Sequence, residues 1–423
     1  MRARRAHSSG TVPPVVRGAV LLFLALTAAA CTPSTAQTTA TTTATTTPTA
    51  AGAAAPAPAP APAPTPPPTT PPTADLVPGT TTPSAPIGPA VPTTIPLGTD
   101  QLNTRWTVLF GGDALLTRHI AATTDPFARI RPRLADADLA IVNIETAIDT
   151  SGRAETKTYT FRSDLAFPAR LADAGVDVGS LANNHALDFG QQALLATIDN
   201  LRGAGVEPIG AGADLAAALQ PAELVIGGVR VAVLAGSQII PSGGWPATAT
   251  RAGIVSAGKH VIDVHSDNLL NAVRAARATH DVVLVVMHWG IEGDPCPSTV
   301  QRRLGALLRA SGATAVLGAH PHILQPIVTD PTPNGEGLVA YSLGNFIWNP
   351  RSGATADTGV LQLQFEGARL VGHRLFPHQL DGNGWAAAVN PGSPAGKRIA
   401  GRVGRACPGA VGSASSAVQP AVA

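Results

Sequence analysis

His320 and His322 stand on either side of Pro321, directly after the short apolar run Ala315-Val316-Leu317 and Gly318. Two residues apart in an extended segment, they splay to opposite sides of the backbone and can reach two metal ions, or one ion and a phosphate. Gly318 is expected to turn the chain at the strand end and Pro321 to stiffen the turn. Taken alone, the pair reads equally well as two loop histidines. The same arrangement recurs along the chain, however. Asp113 follows Trp106–Phe110 and two glycines, Glu145 follows Asp138–Val142 with Asn143 on the same face, and Asn183-Asn184-His185 follows Val176–Leu181. His288 ends Asp281–Met287, the most apolar run of all. Each has a plain alternative: Asp113 as a helix cap, Glu145 as a surface acid on a turn, the amides and His185 as a hydrogen-bonded turn, His288 as a packed core histidine. Seven groups at strand ends (Asp113, Glu145, Asn184, His185, His288, His320 and His322) argue together for one shared site. Carboxylate, amide and imidazole in combination suit divalent Mn, Fe or Zn, or a mixed pair of such ions, rather than Ca or a cysteine-rich structural zinc. Two such ions hold a hydroxide and clamp the oxygens of a phosphoryl or acyl group.

The elements that must position these groups alternate between strand and helix. Helices are predicted at Phe167–Ala174, closed by Gly175; at Gln191–Arg202, closed by Gly203; from an N-cap at Ser266 to about Ala278; and at Ser298–Ala310. Further strands are predicted at Val206–Ile209, Val229–Ala235 and Leu338–Leu343, and Gly210-Ala211-Gly212 reads as a turn. Val360–Phe365 and Arg369–Leu375 alternate as an antiparallel hairpin. The continuous apolarity of Asp281–Met287 implies cover on both faces. The result is an α/β sheet with ligands gathered at its C-terminal edge. The stretch before Cys407 carries no clear pattern.

Of 423 residues, far fewer can fold. Arg2, Arg4, Arg5 and Arg17 precede the apolar run Gly18–Ala30, which reads as a secretory signal. Leu26-Thr27-Ala28-Ala29-Ala30-Cys31 resembles a bacterial lipobox, which makes Cys31 the expected lipidated residue. An ordinary signal cut near Ala30, giving a secreted chain, is the alternative. Residues 32–102 are dominated by Thr, Ala and Pro and are expected to be a disordered, stiff tether. The folded domain is expected at 103–407, ample for one core, and 408–423 is expected to be a disordered tail. Net charge is +2 without a basic cluster after the signal, so no nucleic-acid footprint is present. Cys296 and Cys407 can bridge outside the cytoplasm, fastening the end of the domain beside the loop after His288.

The order Gly112-Asp113, Asn143-Ile144-Glu145, Asn183-Asn184-His185, His288-Trp289-Gly290, Gly318-Ala319-His320-Pro321-His322 and Ser342-Leu343-Gly344-Asn345-Phe346 resembles the CapA family of capsule or poly-γ-glutamate synthesis proteins. The resemblance runs from about Thr107 to Leu375. It implies the calcineurin-like metallophosphatase superfamily and its fold, an α/β/β/α four-layer sandwich of two mixed sheets. It implies Asp113 and His322 on a first ion, Glu145 bridging, and Asn184, His288 and His320 on a second. His185 is implied as the general acid, with Asn143, Asn183 and Asn345 beside the site. One departure stands out. The superfamily has a histidine two residues after the first Asp, where this chain has Leu115; His119 is a distant substitute. The resemblance therefore implies either a surface-anchored, metal-dependent hydrolase of a phosphoester or polymer bond, or a non-catalytic subunit that binds or exports an anionic polymer within a membrane synthase complex. A nucleotidase-like enzyme lacks visible base-stacking signals.

Overall fold

In the computed structural model the chain divides into Met1–Gly88 and Pro89–Ala423. The structure describes residues 104–116, 125–259, 261–332, 335–408 and 413–414, all in the second unit. The expected signal, Cys31, the tether and His119 lie outside the described residues, as does most of the expected tail.

The first half alternates strand and helix: β1 Arg105–Ala114, α1 Arg131–Ala135, β2 Leu139–Ile144, α2 Phe167–Ala174, β3 Val178–Ser180, α3 Gly190–Gly203 and β4 Glu207–Ile209. Its four strands pair in parallel in that order. Helix α2 ends where predicted, on Gly175 at φ 103°, the left-handed cap that glycine adopts without a Cβ penalty. The predicted turn at Gly210–Gly212 is instead partly a strand. β5 (Ala211–Gly212) pairs antiparallel with β8 (Gly253–Ile254), and α4 (Leu215–Ala218) lies against both.

In the second half, β6 (Ala222–Ile226) and β7 (Val229–Ser237) form a hairpin, followed by α5 Val264–Thr279, β9 Val282–His288, α6 Thr299–Ala310 and β10 Ala315–Ala319. β11 (Ile327–Thr332) and β12 (Gly335–Ala340) form another hairpin, and β7, β9, β10 and β12 are parallel neighbours. Ser266 is not the cap of α5. Asp263 is, and Ser266 occupies the third helical position, returning a bond to the Asp263 backbone. Ser298 caps α6 as predicted, reciprocally with Gln301.

β13 (Asn345–Ile347) then pairs with β1. The predicted hairpin is longer than its apolar alternation: β14 Asp357–Glu366 lies between β1 and β15 Arg369–Leu380. β16 (Ala386–Ala388) extends β15, and α7 (Pro394–Val403) occupies the stretch that carried no pattern. β17 (Ser413–Ala414) pairs with β11, so two residues of the tail expected to be structureless belong to a sheet edge.

Where two sheets were expected, the strands form one hydrogen-bonded path, β4-β3-β2-β1-β14-β15-β12-β10-β9-β7-β6. Among the described residues, the strand pairing passes between the two halves at β12–β15, at the register position Gly335↔Leu370. Side-chain alternation sorts the core. Val108, Phe110, Leu139, Ile141 and Val178 of the first half share one cluster with Val231, Val233, Val282, Leu284, Val286 and Leu317 of the second. The opposite face of the first half, Leu109, Ala140 and Val142, packs on Leu171, Leu194, Ile198 and Leu201 of α2 and α3. The opposite face of the second, Val283, Val285, Met287 and Val316, packs on Leu269, Val273, Leu304 and Leu308 of α5 and α6. Every residue of β9 is buried, in keeping with cover on both faces.

Candidate metal centre

Strand register brings the ligating groups level. Asp113 pairs with Asn143 across β1–β2 and with Asn345 across β1–β13. His288 pairs with Ala319, the last residue of β10, so His320 begins where β9 ends. Gly112 makes the Asp113 turn feasible: at φ +86° a Cβ would lie 2.4 Å from the Gly344 carbonyl oxygen, and the Asp113 N–H donates to that same oxygen at 3.0 Å. Gly318 serves differently from the turn expected of it. It remains in β10, and a Cβ there would meet the Tyr341 carbonyl oxygen at 2.0 Å, so its role is close backbone approach.

The histidine segment is not extended. His320 has φ 97° and His322 φ 55°, the only described residues other than glycine with positive φ. Such conformations cost about 1–3 kcal/mol each and persist where the surroundings hold them. Here the His320 N–H donates to Asp113 Oδ2 at 3.2 Å, and His322 Nδ1 lies 2.8 Å from Asn345 Oδ1 and 3.4 Å from Asp113 Oδ2. The left-handed backbone, rather than strand alternation, separates the two rings, whose centroids are 5.9 Å apart.

Glu145 lies at the middle. Its Oε1 is 3.5 Å from His288 Nε2 and 4.0 Å from His322 Nε2. It is fully buried, and neither carboxylate oxygen has a hydrogen-bond partner among the described residues. Burial, then the charge of Asp113, pushes its carboxyl well above the usual range. His288 Nε2 meets Asn184 Oδ1 at 2.7 Å, and its Nδ1 is 3.2 Å from Asn143 Nδ2. Burial, then the neighbouring His320 and His322, keeps His288 well below the usual imidazole value. Donor atoms cluster within 4.8 Å of one another in Asp113–Glu145–His322 and in Glu145–His288–His320, two groups that share Glu145.

The remaining predicted residues brace these. Asn143 Nδ2 donates to Asp113 Oδ1 at 2.8 Å. Asn183 Nδ2 donates to the Ile144 carbonyl at 2.8 Å and to Asn143 Oδ1 at 3.3 Å, while its Oδ1 accepts from the His185 N–H at 3.0 Å. Asn345 Nδ2 donates to the Thr355 carbonyl at 3.0 Å. His185 stands beside the cluster, its Nδ1 2.7 Å from Asp188 Oδ2 and its ring 4.3 Å from that of Phe161. Burial lowers the His185 imidazole and outweighs the Asp188 bond, which acts in the other direction. Phe161 meets Trp348 edge-on at 5.7 Å, and Trp348 lies 4.7 Å from His322, so an aromatic wall runs from His185 to His322.

Sequence reasoning missed Lys157, Asp188, Phe161 and Trp348. Lys157 pairs with Asp188 at 2.5 Å and donates to the Asn184 carbonyl. Asp188 was detectable, lying three residues beyond His185 in the same short run. Lys157 and Phe161 come from an unpatterned loop and gave no signal. Leu115 packs with Trp348, Ala356 and Leu380 and offers no donor. Cys296 and Cys407 form a disulfide with Cα atoms 5.7 Å apart.

Among curated proteins, the chain is 27% identical over 262 residues to the PGA biosynthesis protein CapA of Bacillus subtilis, covering 60% of this chain and 66% of that one. It is 28% identical over 271 residues to the capsule biosynthesis protein CapA of Bacillus anthracis, covering 62% and 64%. A probable polyglutamine synthesis accessory protein of Mycobacterium tuberculosis is 35% identical over 158 residues, 36% of this chain and 41% of that one. The chain thus spans a little under two thirds of the length of the two CapA relatives. The family model for bacterial capsule synthesis protein PGA_cap matches residues 107–350, more than half of the chain and all of the motifs that supply the buried cluster. The chain belongs to the bacterial capsule synthesis protein PGA_cap family.

Proposed function

We propose that this protein is a metal-dependent hydrolase of metallophosphoesterase type that acts outside the cytoplasm in capsule or poly-γ-glutamate synthesis. The observation that carries the reading is Glu145: a fully buried carboxylate with no hydrogen-bond partner at either oxygen among the described residues, set between the imidazoles of His288 and His322. Leaving such a group unsatisfied costs several kcal/mol unless a cation completes it. The residues present fit two divalent ions of the Mn, Fe or Zn class. Asp113, Glu145 and His322 would hold one, and Glu145, Asn184, His288 and His320 the other. When bound, the pair supplies a hydroxide nucleophile and neutralises charge on the attacked phosphoryl or acyl oxygens.

The chain's own part is positioning and proton delivery. Asn143 orients Asp113, and Asn183 fixes the His185 backbone. Asp188 accepts from His185 Nδ1–H and favours the imidazolium against burial; it is the Nε2–H of that imidazolium that would go to the departing oxygen or nitrogen. Phe161 and Trp348 limit water on the His185–His322 side. We read the single-jointed path, with one core between its halves and helices outside, as the α/β/β/α four-layer arrangement. The disulfide supports an oxidising compartment. Cys31 lipidation would anchor the domain through the residue 32–102 tether, and Cys31→Ser should move the protein from the membrane fraction to the soluble one.

A second reading, a non-catalytic polymer-binding subunit of a synthase complex, is favoured by one observation: Leu115 sits in an apolar cluster, leaving one ion three donors. Elemental analysis with assays on a phosphomonoester and a phosphodiester in added Mn2+ separates the two. Two ions with turnover, both lost in His320→Ala, support the hydrolase. Metal without turnover favours the subunit, and no metal under any loading overturns the metal-centre reading.

A further inference from the structure

A third group of donors lies at this centre: Glu292, His320 and His322, again with ligating atoms within 4.8 Å of one another. Glu145 reaches the histidines from the buried interior, whereas Glu292 is exposed and comes from the loop after β9. Resting on the dinuclear reading above, we propose that Glu292 is an additional metal ligand that enters from the solvent side and completes the donor set of the ion held by Asp113, Glu145 and His322.

Donor number argues for it first. The ion at His288 would have four protein donors, while its neighbour has three, and Leu115 contributes none. Divalent ions of this class take four or more ligands, so the three-donor side has room for a carboxylate. Charge argues in the same direction. Two divalent ions bring four positive charges against the carboxylates of Asp113 and Glu145, since the amide and neutral imidazoles carry none. A third carboxylate reduces that excess in a buried setting, where it is costly.

The attachment of the loop argues for it independently. The Trp289 N–H donates to the Ala319 carbonyl at 3.1 Å, and the Gly293 N–H donates to the Pro321 carbonyl at 2.9 Å. The second bond ties the residue after Glu292 to the residue between the two histidines. Gln325 Nε2 donates to the Asp294 carbonyl at 2.9 Å and the Cys296 carbonyl at 3.1 Å, and Cys296 is itself bonded to Cys407. The loop is thus fastened at Ala319, Pro321 and Gln325, before, between and after the two histidines. Its backbone is held beside the two histidines, with the exposed Glu292 carboxylate already within donor range of their rings.

Calorimetric titration of Mn2+ into the metal-stripped full-length chain tests this, with Glu292→Gln, Glu292→Asp and Glu145→Gln alongside wild type. Wild type should take up two ions. Glu292→Gln should weaken one binding step by about tenfold or more, leave the other unchanged, and be partly rescued by Glu292→Asp. A Glu292→Gln isotherm that superimposes on wild type, while Glu145→Gln loses metal, overturns the role of Glu292 and leaves the centre standing. Equal weakening of both steps overturns its assignment to one ion. Failure of wild type to bind Mn2+ or Zn2+ overturns the dinuclear reading itself.

Discussion

Glu145 and Asp357 are both excluded from solvent, yet their surroundings are opposites. Asp357, at the start of β14, accepts from Arg398 Nε at 2.8 Å, Arg402 Nε at 2.9 Å and Gln379 Nε2 at 2.9 Å. Burial alone would raise its carboxyl, but these donors outweigh burial and hold it below the ordinary value. Glu145 has no such donors among the described residues, and burial beside Asp113 drives it upward. The fold can therefore satisfy a buried acid fully when that acid joins structure, here α7 to the β14–β15 hairpin. At Glu145 it supplies no such donor among the described residues. The difference separates a carboxylate that joins structure from one that could take a cation.

The largest effect expected from this contrast is on metal. Glu145→Gln keeps the shape and removes the shared charge, so Mn2+ affinity should fall at least about a hundredfold and any turnover should drop to background, read by equilibrium dialysis and phosphodiester assay. Asp357→Asn should leave metal content intact and destabilise the fold by about 3 kcal/mol in urea unfolding, because Arg402 loses its buried partner. The two variants should thus exchange phenotypes: loss of metal without loss of fold, and the reverse.

Acid provides the next test. A carboxyl held below its unfolded value stabilises the fold above that value, and the contribution disappears as pH falls through the lowered one. Asp357 should therefore protect the fold at neutral pH and cease to do so in strong acid. His378 acts earlier. Burial lowers its imidazole from 6.5 to about 4, so the native state holds it neutral while the unfolded chain protonates. Stability should decline as pH falls from 6.5 towards 4, by roughly 3 kcal/mol in all, and His378→Phe should flatten that decline in urea midpoints measured across the range. The smallest effect concerns the metal-free state. There Glu145→Gln should be at least as stable as wild type, by about 1 kcal/mol, because an amide is cheaper to bury than an unpartnered carboxylate. A clear loss of stability would mean that Glu145 has a structural partner and would remove the contrast.

Much of the site was legible because ligating residue types recur at the ends of apolar runs, and a parallel sheet aligns its strand ends. Asp113, Glu145, Asn184, His288, His320 and His322 were singled out in that way, and the fold brings them together as a candidate site. The helices at Phe167–Ala174 and Ser298–Ala310 were readable from a C-terminal glycine and an N-terminal serine, which act locally. Asp357, Arg398 and Arg402 were not readable. They belong to elements far apart in sequence, and α7 carries no pattern strong enough to announce itself.

By itself, the sequence determined which chemistry the chain can bring to a site, where most strands and helices lie, and that two cysteines were available to pair. These depend on residue type and short-range period. Only the tertiary structure decided that His320 and His322 separate through left-handed backbone, that Glu145 has no donor among the described residues, that Glu292 comes within donor range of the same two histidines, and that the sheet is one path joined at Gly335↔Leu370. Each of those depends on groups that long-range packing brings together, and burial, which fixes both charge state and satisfaction, is a property of the packed whole.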